Sequence, residues 1–570
     1  MKKIISVILA IAVILPCFCI NASAISPALE ARYEQKMELV TELLLEDEKT
    51  IEKVQQVGRA VVFISVSDSK KQAVTVYSST KKLESALEKA FDKAKATGIT
   101  PTWFKLDVVT EVQQTTYAEF KEKYTEATGS TMRQGIAFND YFGRALLEAQ
   151  INSSGLLSYQ TGELDLDGIN KIFKKNSKKP LDKIPETLYL FTTQGYFADT
   201  TAKAEKLNSG TYANFGTRDY KMTEGQLETL AFKSSAYLAD MCGKDGKFVY
   251  GYYPIDNEEL DGYNIIRHAG TVWNLVLQYE MTGNQELLDP IERALAYLEK
   301  QMHYKDSKTA FLNDRGTLNV GGNGISLLAY VSYAEITGSD KYNGLIEALA
   351  NGIIYLQKDD GSYIHTLKKS DYSIYKEYIT VFYDGEATYG ILRAYGLLGK
   401  EEYLKTAEKA ADYFIANKYE ELHSHWIAYS FNEITKYLPK EEYFNFGLLN
   451  VHGYTDRVNR TVTAAHTTCE TMGATFELYV RLMESGIKCD MLEKFDEELL
   501  FEAYNRRVYY GMHYFIQPEQ AMYFSNPQLI LNSFAVREDN FRIRIDDIQH
   551  FMGGYYLYWK NYETVKDYIK

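Results

Sequence analysis

Six short stretches of this sequence put ionisable and aromatic side chains where small-residue helices are expected to begin. They hold Arg267 and His268; Asn323; Tyr383, Asp384 and Glu386; His423, His425 and Trp426; His466 and Glu470; and Arg544, Asp546, Asp547, Gln549 and His550. Brought together, such groups serve proton transfer, because carboxyls and imidazoles act as acid or base according to their surroundings. Glu386 is the first choice for a catalytic carboxyl. It stands in the small, apolar run Gly385-Glu386-Ala387, where burial raises a carboxyl pKa until the group can act as an acid. Asp547 or Glu470 is then the ionised partner, and His268 or His550 an alternative base. Arg267 or Arg544 would grip an acidic group through two parallel hydrogen bonds. Asn323, Asp384, His425 and Gln549 complete a binding wall, with Tyr383 and Trp426 as a stacking platform.

Simpler roles compete for the same residues. Asp384 and Asp546 suit helix N-caps, Asp547 and Glu386 suit first turns facing the helix dipole, and Arg544 with Asp546 suits a structural ion pair. His423 and His425, two apart on a short loop, are a weak metal pair. No C-x-x-C or H-E-x-x-H spacing occurs, and neither a metal nor a cofactor is expected.

The elements that must position these groups are helices. Val272, Leu275, Val276 and Tyr279 recur on one helical face, and Gly283 ends the run. The format repeats at about 55 to 60 residues, with Gly338 and Gly399 closing two further copies. From Thr223 onward the spacing predicts twelve helices in six pairs. First members fall near 223–241, 286–302, 341–357, 402–417, 441–450 and 490–508. Second members fall near 264–281, 322–337, 385–398, 424–437, 465–483 and 547–560. First members are amphipathic, as with Glu286, Glu292, Arg293, Glu299 and Lys300, and suit an outer ring. Second members are apolar all round and rich in small residues, such as Gly322, Gly324, Gly390 and Gly554, and suit a crowded inner ring. The longer links contain Asp245-Gly246 and Asp360-Gly361, read as hairpin turns.

The preceding part has a different texture. A charged helix over about 26–52 leads into strands near 60–66, 73–77 and 103–110, with a helix over 83–96 between the last two. One sheet face should be covered. Helices are expected over 138–157 and 165–173, and a last strand over 188–193. This α+β module, 25–207, carries no catalytic pattern and suits recognition or docking. A boundary near 208–221 predicts two independently folding parts, the second spanning 222–570.

Lys2-Lys3, an apolar run to Phe18 and Ala22-Ser23-Ala24 read as a cleaved export signal over 1–24, with mature protein from Ile25 and a secreted or extracytoplasmic address. No later stretch is apolar enough to span a bilayer. Association with the cell wall stays open. Cys242, Cys469 and Cys489 are too few and too scattered for a disulfide framework and suit buried thiols. The net charge of −14 argues against a nucleic-acid partner.

On hairpin count, repeat length and the two helix types, residues 223–570 resemble the six-hairpin, or (α/α)6, carbohydrate-active superfamily. That group includes unsaturated glucuronyl hydrolases, N-acylglucosamine 2-epimerases and glucuronyl C5-epimerases. The resemblance implies a mainly α chain, an (α/α)6 toroid after a small α+β domain. It also implies a pocket at the N-terminal ends of the inner helices that takes a glycan or sugar acid. Hydrolysis there needs two carboxyl groups. Epimerisation or elimination needs a base, an opposed acid and a cation for the substrate carboxylate. No residue role carries over by motif. The rival class is a non-catalytic glycan- or peptide-binding surface protein. Terpene cyclase and lanthionine cyclase chemistry lack their D-x-D-D run and Cys/Cys/His set here.

Overall fold

The structure is a computed structural model and describes residues 25–127, 131–209, 215–461 and 466–566. The export signal expected over 1–24, with Cys17 and Cys19, lies outside these residues.

The N-terminal part begins with two helices, α1 (Pro27–Glu46) and α2 (Glu48–Gln56). The single helix expected there breaks at Asp47, whose carboxylate caps α2 through Thr50 N and Thr50 Oγ1. Seven antiparallel strands follow: β1 (Ala60–Ser67), β2 (Val74–Thr80), β3 (Trp103–Thr116), β4 (Gly135–Ala137), β5 (Ala145–Leu146), β6 (Thr187–Ala198) and β7 (Ala204–Lys206). They run in the order β2-β1-β3-β6-β4-β5, with β7 beside β6. Four more helices punctuate them: α3 (Leu83–Lys95), α4 (Tyr117–Tyr124), α5 (Glu148–Ser153) and α6 (Leu166–Lys175). Of the helix expected over 138–157 only α5 (Glu148–Ser153) forms; the residues before it make the turn of the β4–β5 hairpin and β5 itself. Asn139 accepts from Gly143 N at 2.9 Å, and Phe142 takes φ 61°, so local turn chemistry overrides the apolar periodicity.

Every residue of β1 is buried, which corrects the expectation of one covered face. Val62, Ile64 and Val66 pack with α1 and α3, while Val61 and Phe63 face the helical part. That second face is covered by the segment 512–544. Ala73 N donates to Met522 O at 2.7 Å, and Tyr523 OH donates to Ser65 Oγ at 2.9 Å. Val61, Phe63, Phe191 and Phe197 belong to the same apolar core as Leu227, Leu230 and Trp273. Two parts sharing one core are not independent in packing.

The helical part is six pairs. Outer helices are α7 (Glu224–Met241), α9 (Leu288–Glu299), α11 (Asn343–Leu356), α13 (Glu401–Ala416), α15 (Glu441–Leu449) and α17 (Glu497–Gly511). Inner helices are α8 (Ile265–Thr282), α10 (Val320–Thr337), α12 (Val381–Leu398), α14 (His425–Tyr437), α16 (Thr468–Ser485) and α18 (Ile545–Lys560). Each inner helix packs on the next, and α18 packs back on α8, so the ring closes. This is the (α/α)6 toroid. Small residues allow the inner ring: a Cβ on Gly390 would lie 2.5 Å from Gly324 O across the α10–α12 contact. Gly283, Gly338, Gly399 and Gly486 end four inner helices in the left-handed conformation. The two Asp-Gly turns are bridged at Cys242–Phe248 and Gln357–Tyr363. Each seats its glycine, Gly246 or Gly361, on the backbone of the following outer helix. No helix among the described residues is long and apolar enough to cross a membrane.

Candidate active site

Inner helices start at one end of the ring, so the first-turn side chains on their inward faces share a common space. On α18 the order of residues sorts them: Asp546 and Asp547 open the helix, and His550 sits one turn further in, on the same side as Asp546 and Asp547. His550 Nδ1 lies 2.7 Å from Glu470 Oε2 on α16, and Glu470 Oε1 accepts from Tyr429 OH on α14 at 3.1 Å. Glu470 is fully buried, its carboxylate lying where a Cβ on Gly553 would stand, 2.3 Å from Oε1. Burial pushes the Glu470 carboxyl up, against the pull of His550 and Tyr429. Burial opposes charge on His550, but Glu470 outweighs it and the imidazole pKa is raised. Both members of the dyad therefore hold protons more tightly than free side chains.

Two further imidazoles face His550. The His425 ring centroid is 5.1 Å from it, nearly perpendicular, and that of His466 is 4.9 Å away. His425 is buried, and its Nε2 has no hydrogen-bond partner among the described residues. Burial, then the nearby His550 and His466, push its pKa well below the usual value. Neutral His425 and proton-rich His550 thus stand side by side with opposite tendencies.

Glu386 opens the α12 side. Its carboxylate lies over Gly321, where a Cβ would meet Oε2 at 2.2 Å, and Oε2 is buried without a partner among the described residues. Burial pushes its pKa up to about 8, with Asp384 adding to this and His550 opposing it. Trp426 lies within 6.3 Å of His550, and its ring leans on Trp273 at 6.0 Å. Trp273 also meets Tyr389 and Tyr429, making an aromatic floor.

The opposite wall is an ion-pair network. Asp547 is fully buried and takes both oxygens' worth of hydrogen bonds from Arg542, Nε and Nη2 each at 3.1 Å. Asp546 is held by Arg544, with Nη2 at 2.9 Å, and by Arg267 Nε at 2.9 Å. Burial works against its ionisation, but the two arginines hold the Asp546 carboxyl below its usual pKa. The site reaches solvent at Arg267 and His466, whose side chains are 37% and 27% exposed.

The structure thus assembles Arg267, Glu386, His425, Trp426, Glu470, Arg544, Asp547 and His550, with Tyr383 against Gly321 beside Glu386 and Gln549 against Gly270. It turns three expected residues away. His268 is fully buried, with Nδ1 at 2.7 Å from Tyr263 OH and Nε2 at 3.0 Å from Ala294 O of α9. Its pKa falls to about 4 through burial, and it serves packing between rings rather than as a base. Asn323 accepts from Leu312 N at 2.8 Å and donates to Ala310 O and Leu349 O, splicing α10 to its neighbours. Asp384 faces outward to His365 Nε2 at 3.1 Å and Tyr419 OH at 3.3 Å. The expected ionised partner Asp547 is committed to Arg542. His423 and His425 diverge, His423 Nδ1 reaching Asn450 O at 2.6 Å and stacking on Tyr454.

Sequence reasoning missed Arg542, Tyr429 and Trp273. Tyr429 had a signal, lying one turn after His425 on the same face. Arg542 had none, being in an irregular segment. His425, Glu470 and His550 also place one ligand atom each within 4.8 Å of one another, the one such group among the described residues. Two of these atoms, His550 Nδ1 and Glu470 Oε2, are hydrogen-bonded to each other in this arrangement.

No protein-family model matches the chain, and no curated protein matches it in sequence. Solved structures match it in shape. A D-mannose isomerase is 14% identical, covering 61% of this chain and 98% of its own, at TM-score 0.45. A sugar epimerase from a ruminal bacterium is 12% identical, covering 52% and 88%, at TM-score 0.42. An unsaturated glucuronyl hydrolase specific for heparin is 12% identical, covering 60% and 99%, at TM-score 0.43. The fold itself rests on the closed ring of paired helices.

Proposed function

We propose that this chain is an exported sugar-acting enzyme that moves a proton at a carbon beside a carbonyl, as in aldose–ketose isomerisation or epimerisation. The observation that carries the reading is the His425–His550 pair, two imidazoles 5.1 Å apart with opposite proton affinities, one of them bound to Glu470. Environments that push two titratable groups apart assign base and acid. His425 Nε2 takes the proton from the sugar carbon, and the His550 imidazolium gives a proton to the carbonyl oxygen. An enediol results, and the reverse transfers complete the reaction at the neighbouring carbon or with inverted configuration. Glu386, protonated near neutral pH, donates a hydrogen bond to a substrate oxygen. Trp426 packs on the sugar face. Arg267 and Arg544 are already paired with Asp546, which favours a neutral sugar over the sugar acid that the sequence reading kept as an alternative.

The test is incubation of mannose, glucose and their oligomers with the protein in D2O, followed by NMR. Deuterium entering the carbon next to the carbonyl supports the proposal. A second reading, glycoside hydrolysis, is favoured by the raised pKa of Glu386 as leaving-group acid. Glu386→Gln separates the two. A proton donor lost from hydrolysis lowers kcat by on the order of a hundredfold or more. A hydrogen-bond donor retained by the amide leaves isomerisation within about tenfold. Absence of both deuterium exchange and glycoside cleavage, with sugar still bound, would place the binding-protein reading first.

A further inference from the structure

Single exposed apolar side chains are ordinary on any protein surface. Here five large ones crowd nine consecutive positions: Ile374, Tyr375, Tyr378, Ile379 and Phe382. Tyr375 is 51% exposed, Tyr378 61% and Phe382 47%. Large exposed apolar patches mark binding surfaces.

This patch is continuous with the site. Phe382 precedes Glu386 by four residues on α12, so the two share a helix face one turn apart. The Phe382 ring lies 5.9 Å from that of His425. The rise from Glu386 to Phe382 is about 6 Å, roughly one sugar unit outward. The rest of the patch is held firmly to the same helix. His365 Nδ1 accepts from Ile379 N at 2.9 Å, and its Nε2 donates to Asp384 Oδ1 at 3.1 Å. The Tyr378 ring packs on His365 with centroids 4.9 Å apart. Tyr375 stands on the edge strand Ile374–Lys376, whose three residues are all exposed. The Tyr378 ring, backed by His365, leaves its other side exposed to a flat partner. Tyrosine adds a hydroxyl at the rim of each face.

We propose that Phe382, Tyr378 and Tyr375 form an outer platform for the further units of a glycan whose terminal unit occupies the His425–His550 site, so that the substrate is an oligosaccharide. The proposal rests on the sugar-site reading above. Each exposed ring can offer an apolar face to a pyranose, and Phe382 joins the His425 side of the site to the exposed run that precedes it in the chain.

The test compares affinities by calorimetry, on the full chain, for mannose against mannotetraose and glucose against cellotetraose. The expected result is that one tetrasaccharide binds at least about tenfold tighter than its monomer, and that Tyr375→Ala with Tyr378→Ala brings this ratio close to one. Both side chains are exposed, so the fold tolerates the change, and circular dichroism checks it. Equal affinities for monomer and tetramer, or a tetramer advantage that survives the double substitution, overturn the platform. Deuterium exchange on the monosaccharide would still stand in that case, so the sugar-site reading is judged separately. If the double variant instead changes oligomeric state in gel filtration and leaves the affinity ratio intact, the patch is a protein contact and the proposal fails.

Discussion

His425 and His466, each with its ring about 5 Å from that of His550, would ordinarily repel it if all were charged. Glu470 resolves this by attracting the proton to His550, leaving His425 and His466 neutral. The consequence is a pH profile with a defined sign. On the proposed mechanism the acid limb of activity should follow protonation of the His425 base, whose pKa lies below the usual imidazole value. The alkaline limb follows loss of the proton from the Glu470–His550 dyad, which lies above it. Glu470→Gln removes the negative charge that raises His550. The alkaline limb should therefore move to lower pH, while the acid limb moves little, and kcat should drop by about a hundredfold or more. An alkaline limb unmoved by Glu470→Gln would mean that His550 is not the acid. Glu386 has its own signature in stability. Its carboxyl keeps its proton to about pH 8, whereas the unfolded chain loses it near 4.5. The folded state binds more protons between these values, so stability falls as pH rises through them. Glu386→Gln should have little effect near pH 4.5 and stabilise the protein increasingly towards pH 8, as read by thermal melts. A constant difference across that range would contradict the buried placement.

At the scale of elements, glycine sets how closely the inner ring closes. Gly324 and Gly390 face each other, and a Cβ on Gly324 would meet Glu386 O at 2.1 Å. Gly390→Ala places a methyl 2.5 Å from Gly324 O, against helix backbone that cannot turn aside. The expected cost is about 1–3 kcal/mol or more in urea unfolding. Activity should fall beyond the loss of folded protein, because α10 and α12 carry Gly321 and Glu386 on facing first turns. Unchanged stability would mean that the two helices part freely. The same elements explain what the sequence could disclose. Inner and outer helices were legible because their periodicity differs in kind, amphipathic against apolar all round, and because left-handed glycines end the inner runs. The positions of Glu386, Glu470 and His550 were legible as polar interruptions of apolar helix openings. The direction each side chain takes was not. Asp384 and Glu386 are two apart, so a helix turns them to different sides, outward to His365 and inward to the site. His268 follows Arg267 by one residue and faces α9 for the same reason. Asp547 looked free because its partner, Arg542, comes from a segment without periodicity. The β4–β5 hairpin was hidden by apolar residues at helix-like spacing.

At the scale of the whole molecule, the shift from strands to paired helices suggested two bodies, whereas the packing points to one cooperative unit. Arg218 ties the end of β6 to the segment 512–544. Its Nη2 donates to Asp199 Oδ2 at 2.8 Å, and its Nε and Nη2 grip Glu519 at 3.3 and 3.2 Å. Glu519 also accepts from Arg218 N at 3.1 Å and is almost fully buried. The same segment delivers Tyr523 to Ser65 on β1 and then runs into α18, which carries Asp547 and His550. Export, if the signal over 1–24 is cleaved, leaves this unit intact, and N-terminal sequencing of the secreted form should begin at Ile25. The cooperative unit itself makes the sharper prediction. Trp103 reports on the sheet, and Trp273, Trp426 and Trp559 on the toroid, so replacing either set by Phe gives separate fluorescence probes. Urea transitions read through the two probes should coincide. Glu519→Ala removes the most buried partner of Arg218 but leaves Asp199 and Glu205 beside it, so the cost should stay below the roughly 3–5 kcal/mol of a buried charge left unpaired. Both transitions should move together to lower urea. If Glu519→Ala shifts the sheet transition and leaves the toroid transition in place, the two parts fold independently, and α18 owes nothing to the sheet beneath it.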